Sequence, residues 1–385
     1  MKPPPAHHRR PRASAAFTLL EMIIAMVVVV MAMLVVVQAM ARVQDTWKMT
    51  SAKVREAQDA RAGMETMSRA LTRATLNGRW AANDDIDPRY LQRESDLHFV
   101  CGPVSDLLQS SGNATSHAVF FQAPIGYASP DDRSTTTSAK AEYDTLPGVL
   151  NAWGYFVEFG EDPAPLPSFI TGDRRAQGLA PQRNRFRLME FRQPAHELDL
   201  FQMDGADPPQ SKISQLADRS QLYQWFGNPL RESASGGKRR CVVVAENILA
   251  VIFQPIVGGD TTGSTSGDVS DFDSKAEYLY DSRRFQWDSG SEHAARSRHR
   301  LPAALKVTVI VLDERDWDRL SDSEARQAGI DLRGQVSARF QSPANFAADM
   351  GSITGELNRR RMRHRVISST MPVPGGRWTT DRETD

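Results

Sequence analysis

The pattern of apolar and polar positions changes abruptly twice along this chain. Over residues 17–41 only Thr18, Glu21 and Gln38 interrupt an apolar run, and the stretch 22–37 is unbroken. As a helix this run rises about 37 Å, more than the roughly 30 Å of a hydrocarbon core, so it predicts a membrane-spanning helix. After Ala41 the apolar positions thin to a stripe of Val43, Trp47, Val54, Met64, Met67 and Leu71, with Ala57, Ala60 and Ala74 on the same line. Spacings of three and four predict that the helix continues in amphipathic form and ends near Asn77 and Gly78. The opposite face mixes Arg42, Asp45, Lys48, Lys53, Arg55, Glu56, Asp59, Arg61, Glu65, Arg69 and Arg73, the signature of a solvated surface.

Beyond Gly78 short runs rich in β-branched and aromatic residues predict strands at 97–101, 118–122, 153–159, 185–191, 241–255 in one or two pieces, 305–313 and 366–373. Helices are predicted at 321–328 and 345–363. Polar loops rich in Gly, Ser, Thr, Asp and Pro fall at 129–138, 204–210 and 258–274. The resulting fold class is α+β, a long N-terminal helix laid on an antiparallel β-sheet head. Four segments follow: a leader at 1–16, the transmembrane half of the helix at 17–41, its amphipathic half at 42–77, and the head at 78–385.

Charge sets the orientation. The leader carries Lys2, Arg9, Arg10 and Arg12, no acidic residue, and prolines at 3–5, so it is basic and poorly helical. Positive residues ahead of a span place the leader in the cytoplasm and the head outside, a single pass through the inner membrane. Over the whole chain Lys plus Arg and Asp plus Glu both number 47, which leaves no global pull toward nucleic acid. The two cysteines, Cys101 and Cys241, lie in the predicted exported part. Export permits a disulfide between them and equally permits two separately buried thiols.

Glu21 is the anomaly of the apolar run. A carboxylate well inside a spanning helix costs about 2.5–3.5 kcal/mol on insertion scales, so it needs a partner. Cleavage between Ala16 and Phe17 would create an amine four residues away, and that cation in one copy would pair with Glu21 in the next, setting an axial register. The run Ala16, Phe17, Thr18, Leu19, Leu20, Glu21 resembles the class III signal of type IV prepilins and type II secretion pseudopilins. The resemblance implies cleavage before Phe17 by a prepilin peptidase, N-methylation of Phe17 by the same peptidase/methyltransferase, guidance of assembly by Glu21, and other pilin-like subunits as partners. Ala16 stands where the family usually has glycine. A conventional signal peptide cut after the small-x-small triplet Ala39, Met40 and Ala41, or an uncleaved anchor, also explains the hydrophobicity, but both leave Glu21 without a purpose.

The head carries a second resemblance, to the pilin-like family known as Verru_Chthon cassette protein C. It rests on Ala74-Thr75-Leu76-Asn77, Trp80, Tyr90, Ser95-Asp96-Leu97-His98-Phe99-Val100, Ala245-Glu246-Asn247 and Tyr278-Leu279-Tyr280-Asp281-Ser282-Arg283. Leu301-Pro302-Ala303-Ala304-Leu305-Lys306-Val307 is similar to a late strand of J-type minor pseudopilins. Together these imply a minor subunit.

Catalytic signatures are absent from the sequence: no GxSxG, HExxH, P-loop, CxxC or dinucleotide turn occurs, and neither enzymatic activity nor a cofactor is expected. His98, between Leu97 and Phe99 in a predicted strand, reads as structural. Asp268, Asp271 and Asp273 are oxygen ligands suited to Ca²⁺, but without EF-hand order they read as a solvated loop. The densest local charge is Arg359, Arg360, Arg361, Arg363, His364 and Arg365, expected on a helix and paired with nearby acids; with no aromatic interleaving, nucleic acid is not an expected partner. The expected function is a minor pilin or pseudopilin-like structural subunit of a type IV pilus or type II secretion-like filament. The alternative is a membrane-anchored extracytoplasmic binding or adhesion protein that does not polymerise.

Overall fold

The computed structural model describes residues 19–83, 87–108, 112–126, 148–161, 184–198, 213, 216–234, 240–257 and 277–376. The leader, Ala16 and Phe17, the three predicted polar loops and the aspartates at 268, 271 and 273 lie outside them. The chain divides after Arg55 into two units, and helix α1 (Leu19–Leu71) contributes to both.

In the first unit α1 carries Leu19–Gln44, a stretch of mean hydropathy 3.0. Every large apolar side chain from Leu19 to Val43 is more than half exposed, as is Trp47 at 75%. The expected inward stripe therefore does not include Val43 and Trp47. In the second unit the stripe behaves as its spacing predicts: Ala60, Met64, Met67, Leu71 and Ala74 are buried, joined by Ala70 and Leu76. Gly63 shows how close the approach is, since a Cβ there would lie 3.1 Å from the Cβ of Ala245. The helix stops at Leu71, short of the predicted Asn77, because the next residues find other partners: the Thr75 amide donates to the Gln122 carbonyl at 3.0 Å. Asn77 takes a positive φ of 43° in that connection.

Among the described residues the strands form three antiparallel sheets. A hairpin pairs β1 (Arg79–Asn83) with β2 (Asp87–Glu94). Strands β3 (Val100–Pro103), β4 (Ala114–Pro124), β5 (Leu150–Gly160), β6 (Arg185–Gln193), β7 (Cys241–Glu246) and β9 (Tyr280–Asp281) form a six-stranded sheet of order β7-β6-β5-β4-β3-β9. Strand β8 (Ile248–Ile256) joins β10 (Ala304–Leu312) and β11 (His364–Pro372) in a three-stranded sheet of order β11-β10-β8. The predicted run 241–255 thus divides at Asn247, whose φ of 60° turns the chain from one sheet into the other.

The six-stranded sheet is covered on both faces, so β4 and β5 are buried at nearly every position rather than alternating between buried and exposed. Phe121, Tyr155, Val157 and Leu188 join the α1 stripe and the inward residues of β8 and β10 in the main core. Phe120, Phe156, Phe191 and Cys241 form a second core with Leu222, Trp225 and Phe226. The latter pair belongs to helix α2 (Gln224–Ala234), which was not among the predicted elements and which contains Gly227 and Pro229. Its Phe226 ring stacks on Phe120 at 4.1 Å, and Gly154 is required beneath Phe120, whose ring would stand 2.2 Å from any Cβ. Tertiary packing outweighs the local breakers here.

Two later helices also depart from expectation. Helix α3 (Asp322–Ser337) begins with the Ser321–Glu324 capping box but runs past the predicted stop at Ala328. Gly329, at that apparent stop, is a packing residue: a Cβ would come within 2.0 Å of the Phe159 ring. Helix α4 (Phe346–Arg359) ends four residues before the predicted Arg363. Its terminus is a Schellman motif, with Met362 N donating to Leu357 O at 2.9 Å, Arg361 N to Asn358 O at 3.0 Å, and Arg361 at φ 56°. Met362 and Leu357 are both buried, which supplies the apolar contact of that motif.

The Cys101–Cys241 disulfide is not formed; both cysteines are buried thiols. Cys101 on β3 and Cys241 on β7 are separated by four interstrand steps, about 19 Å, and a disulfide needs Cα atoms within about 7 Å. They also belong to opposite faces of the sheet. Burial raises the Cys101 thiol far above its ordinary value and keeps it protonated.

Candidate functional site

Two places concentrate polar groups where the physics disfavours them. The first is Glu21, an acidic residue in the first described turn of α1, surrounded along the helix by uncovered apolar side chains. Its expected covalent neighbour in the chemistry, the Ala16–Phe17 bond, lies outside the described residues. The stretch Leu19–Gln44 of α1 is long and apolar enough to cross a membrane, and its large apolar side chains are exposed.

The second place is a polar network inside the head, built where two distant segments meet. His98 and Asp281 are 183 residues apart in the chain, and His98 Nε2 lies 2.6 Å from Asp281 Oδ1. The same oxygen accepts the Arg283 amide at 2.7 Å, while Oδ2 accepts the Tyr223 hydroxyl at 2.9 Å and Trp287 Nε1 at 3.1 Å. Trp225 Nε1 donates to His98 Nδ1 at 3.1 Å, which makes Nδ1 the acceptor and Nε2 the N–H donor of that imidazole. Arg283 adds its Nε to the Leu97 carbonyl at 3.1 Å and its Nη2 to the Ser95 carbonyl. Ser282 closes the junction, accepting the Phe99 amide on Oγ and donating its own amide to Phe99 O, each at 3.0 Å.

His98, Asp281, Ser282 and Arg283 have no solvent exposure. Burial alone would raise the Asp281 carboxyl, but His98, the Arg283 amide and Trp287 outweigh it and hold the group below the usual carboxylate range. Burial, followed by the Asp281 charge, drives the Tyr223 phenol well above its ordinary value, and burial pushes Arg283 down to about 10. The network locks Ser95–Phe99 onto Tyr280–Arg283 and the 219–234 segment. His98 is not within a strand as predicted but in the three residues leading into β3. Asp281, Tyr223, Trp225 and Trp287 were not legible as its partners; the only signal was the Tyr278–Arg283 run that carries the second resemblance. A cleft of about 250 Å³ opens beside the network between Thr75, Asn77, Arg93 and His299.

A second buried imidazole bridges the sheets. The register of β4 slips between Thr115 and Ala118, with Ser116 at φ 61°, and the bulge presents Ser116 and His117 to the free edge of β8. Ser116 Oγ accepts the Val251 amide and His117 Nδ1 accepts the Phe253 amide, both at 3.1 Å. His117 Nε2 donates to the Phe340 carbonyl at 2.8 Å. This arrangement needs a neutral ring, and burial pushes His117 down to about 4, outweighing the nearby Phe340 and Phe253 carbonyls, which favour the charged ring. The folded value lies below the unfolded one, so this contribution to stability is complete above pH 6.5 and is lost as pH falls toward 4. The loss is roughly 3 kcal/mol by linkage. Denaturant melts at pH 7 and pH 4.5 should show it, with His117→Gln giving a shallower pH slope; equal slopes would remove His117 as the cause.

The basic cluster is not on a helix, as expected, but spans the α4 terminus, the Schellman turn and the start of β11. Most of it is paired: Arg359 and Arg360 with Glu356, each at 2.7 Å, and Arg363 with Asp316 at 2.9 Å and Asp313 at 3.1 Å. Arg361 and Arg365 are exposed. Comparison with protein-family models, with curated proteins and with solved structures finds no match for this chain.

Proposed function

We propose that this chain is a minor pilin or pseudopilin-like structural subunit, processed before Phe17 and assembled through its N-terminal apolar helix into a type IV pilus or type II secretion-like filament. The observation that carries the reading is Glu21, a carboxylate within the stretch Leu19–Gln44 of α1, whose large apolar side chains are exposed. Lipid can cover the apolar side chains, and in a filament the amine released at Phe17 of a neighbouring copy would lie near the depth of this carboxylate and pair with it, setting the axial register. The prepilin-like signal and the resemblance of the head to pilin-like proteins point the same way. In this reading the closed network around Asp281 serves the head by fixing its shape for subunit contacts.

Mass spectrometry of the mature chain from membranes of cells carrying their own processing enzymes is the test. A chain that begins at a methylated Phe17 supports the proposal. A chain that begins at Arg42 identifies a released protein, and one that keeps Met1 a plain anchor; either result removes the filament reading's main support.

A further inference from the structure

An open sheet edge is a pairing surface unless something blunts it, and the edges of the two larger sheets differ in this respect. Strand β9 has two residues. Strand β7 is irregular, its register slipping between Leu188 and Met189 of its neighbour. The outward amides of β8 at Val251 and Phe253 are taken by Ser116 and His117. Strand β11 has none of these protections: it pairs with β10 without a bulge from His364↔Leu312 to Pro372↔Ala304, and β10 is its only strand neighbour among the described residues.

The outward backbone groups follow from the ladder. Val373 N donates to Ala303 O at 3.1 Å and Asp313 N to Arg363 O at 2.9 Å, so the odd-numbered residues bond to β10. The N–H and C=O groups of Val366, Ser368 and Thr370 therefore point away from the sheet. All three residues are exposed, and the segment 366–371 carries no charge.

We propose that β11 is the docking edge for a second copy of this chain, in an antiparallel pair centred on Ser368. In that register Ser368 faces Ser368, and Val366 faces Thr370, a β-branched pair of the kind that stabilises sheets. Arg365 faces Met371, so no like charges meet, and the two Arg365 side chains stand about 20 Å apart along the strand, beyond the screening length. Pro372 lacks an N–H and ends the pairing at both extremities. Each even-numbered residue from Val366 to Thr370 exchanges two backbone bonds with its partner. A twofold contact closes on itself, so this edge makes pairs of heads rather than a chain of them. It involves neither Glu21 nor processing at Phe17, and it stands or falls separately from the filament reading.

Cysteine cross-linking of the full chain in membranes tests the register. Directly opposed residues in a hydrogen-bonded pair have Cα atoms about 5.5 Å apart, within disulfide range, and Cys101 and Cys241 are buried, which keeps the wild-type background low. Under mild oxidation Ser368→Cys should give a disulfide-linked dimer, at least about ten-fold above Val366→Cys or Thr370→Cys alone, whose equivalent positions would be about 13 Å apart. Mixing Val366→Cys with Thr370→Cys should restore the dimer. Equal cross-linking at all three positions, or none at Ser368 and none in the mixture, overturns the proposal. An adduct of Ser368→Cys whose mass is not twice that of the chain overturns it in favour of a foreign strand.

Discussion

Asp281→Ala is expected to destabilise the head by about 4 kcal/mol, because it removes the acceptor of four donors at once, three of them buried. Tyr223, His98 and the Arg283 amide are buried and have no water to turn to, while Trp287 is half-buried. In a domain of this size the loss corresponds to a fall in melting temperature of about 10 °C. Asp281→Asn should fall between wild type and alanine, since it keeps the volume but turns an N–H₂ toward groups that themselves donate. Tyr223→Phe, which removes one donor and leaves the carboxylate with three, should cost only about 1 kcal/mol. Thermal melts of the three variants check the order; an Asp281→Ala shift within about 2 °C of wild type would show that the network is not what holds these segments together.

Glu21→Ala is expected to leave membrane insertion intact and to lower incorporation into filaments at least about ten-fold. The alanine makes the helix more apolar, so insertion is favoured. What disappears is the anion that pairs with the Phe17 amine of the neighbour, and a buried amine left alone at that depth costs a few kcal/mol, each 1.4 of which is a factor of ten. The measurement is the ratio of chain in sheared filaments to chain in membranes for wild type and variant. Undiminished incorporation would sink the register argument, while loss of the variant from the membrane would point to an anchor whose insertion depends on Glu21.

The sequence was most informative where a local pattern meets a local constraint. A long apolar run needs no tertiary partner to be read, and neither does the three-and-four spacing of Ala60, Met64, Met67 and Leu71, all of which are buried. Strands were legible where Val, Ile and Phe accumulate, as in β8 and β10, although their ends were not. The misreadings share one cause. Gly329, Gly227 and Pro229 resemble punctuation, yet each lies within a helix, with Gly329 held against Phe159. Val43 and Trp47 fit the stripe by spacing but belong to the unit in which the described large apolar side chains are exposed.

The buried polar network was the least legible feature. His98 was visible as a histidine between apolar residues, but its role depends on a carboxylate 183 positions away and on two indoles and a phenol from other segments. No periodicity connects those residues, because chain reversal rather than spacing brings them together. The same reason separates Cys101 from Cys241, which compartment alone would allow to bond.

By itself, then, the sequence determined the apolar helix, its continuation as an amphipathic stripe, the α+β class and the anomalous position of Glu21, since each depends on residues within a few turns or one strand of one another. Only the tertiary structure decided which carboxylate His98 meets, which sheet each half of 241–256 enters, and that β10 is the only strand neighbour of β11 among the described residues. Those outcomes depend on which segments become neighbours in space, and that is set by the joint packing of two cores rather than by any local run of residues.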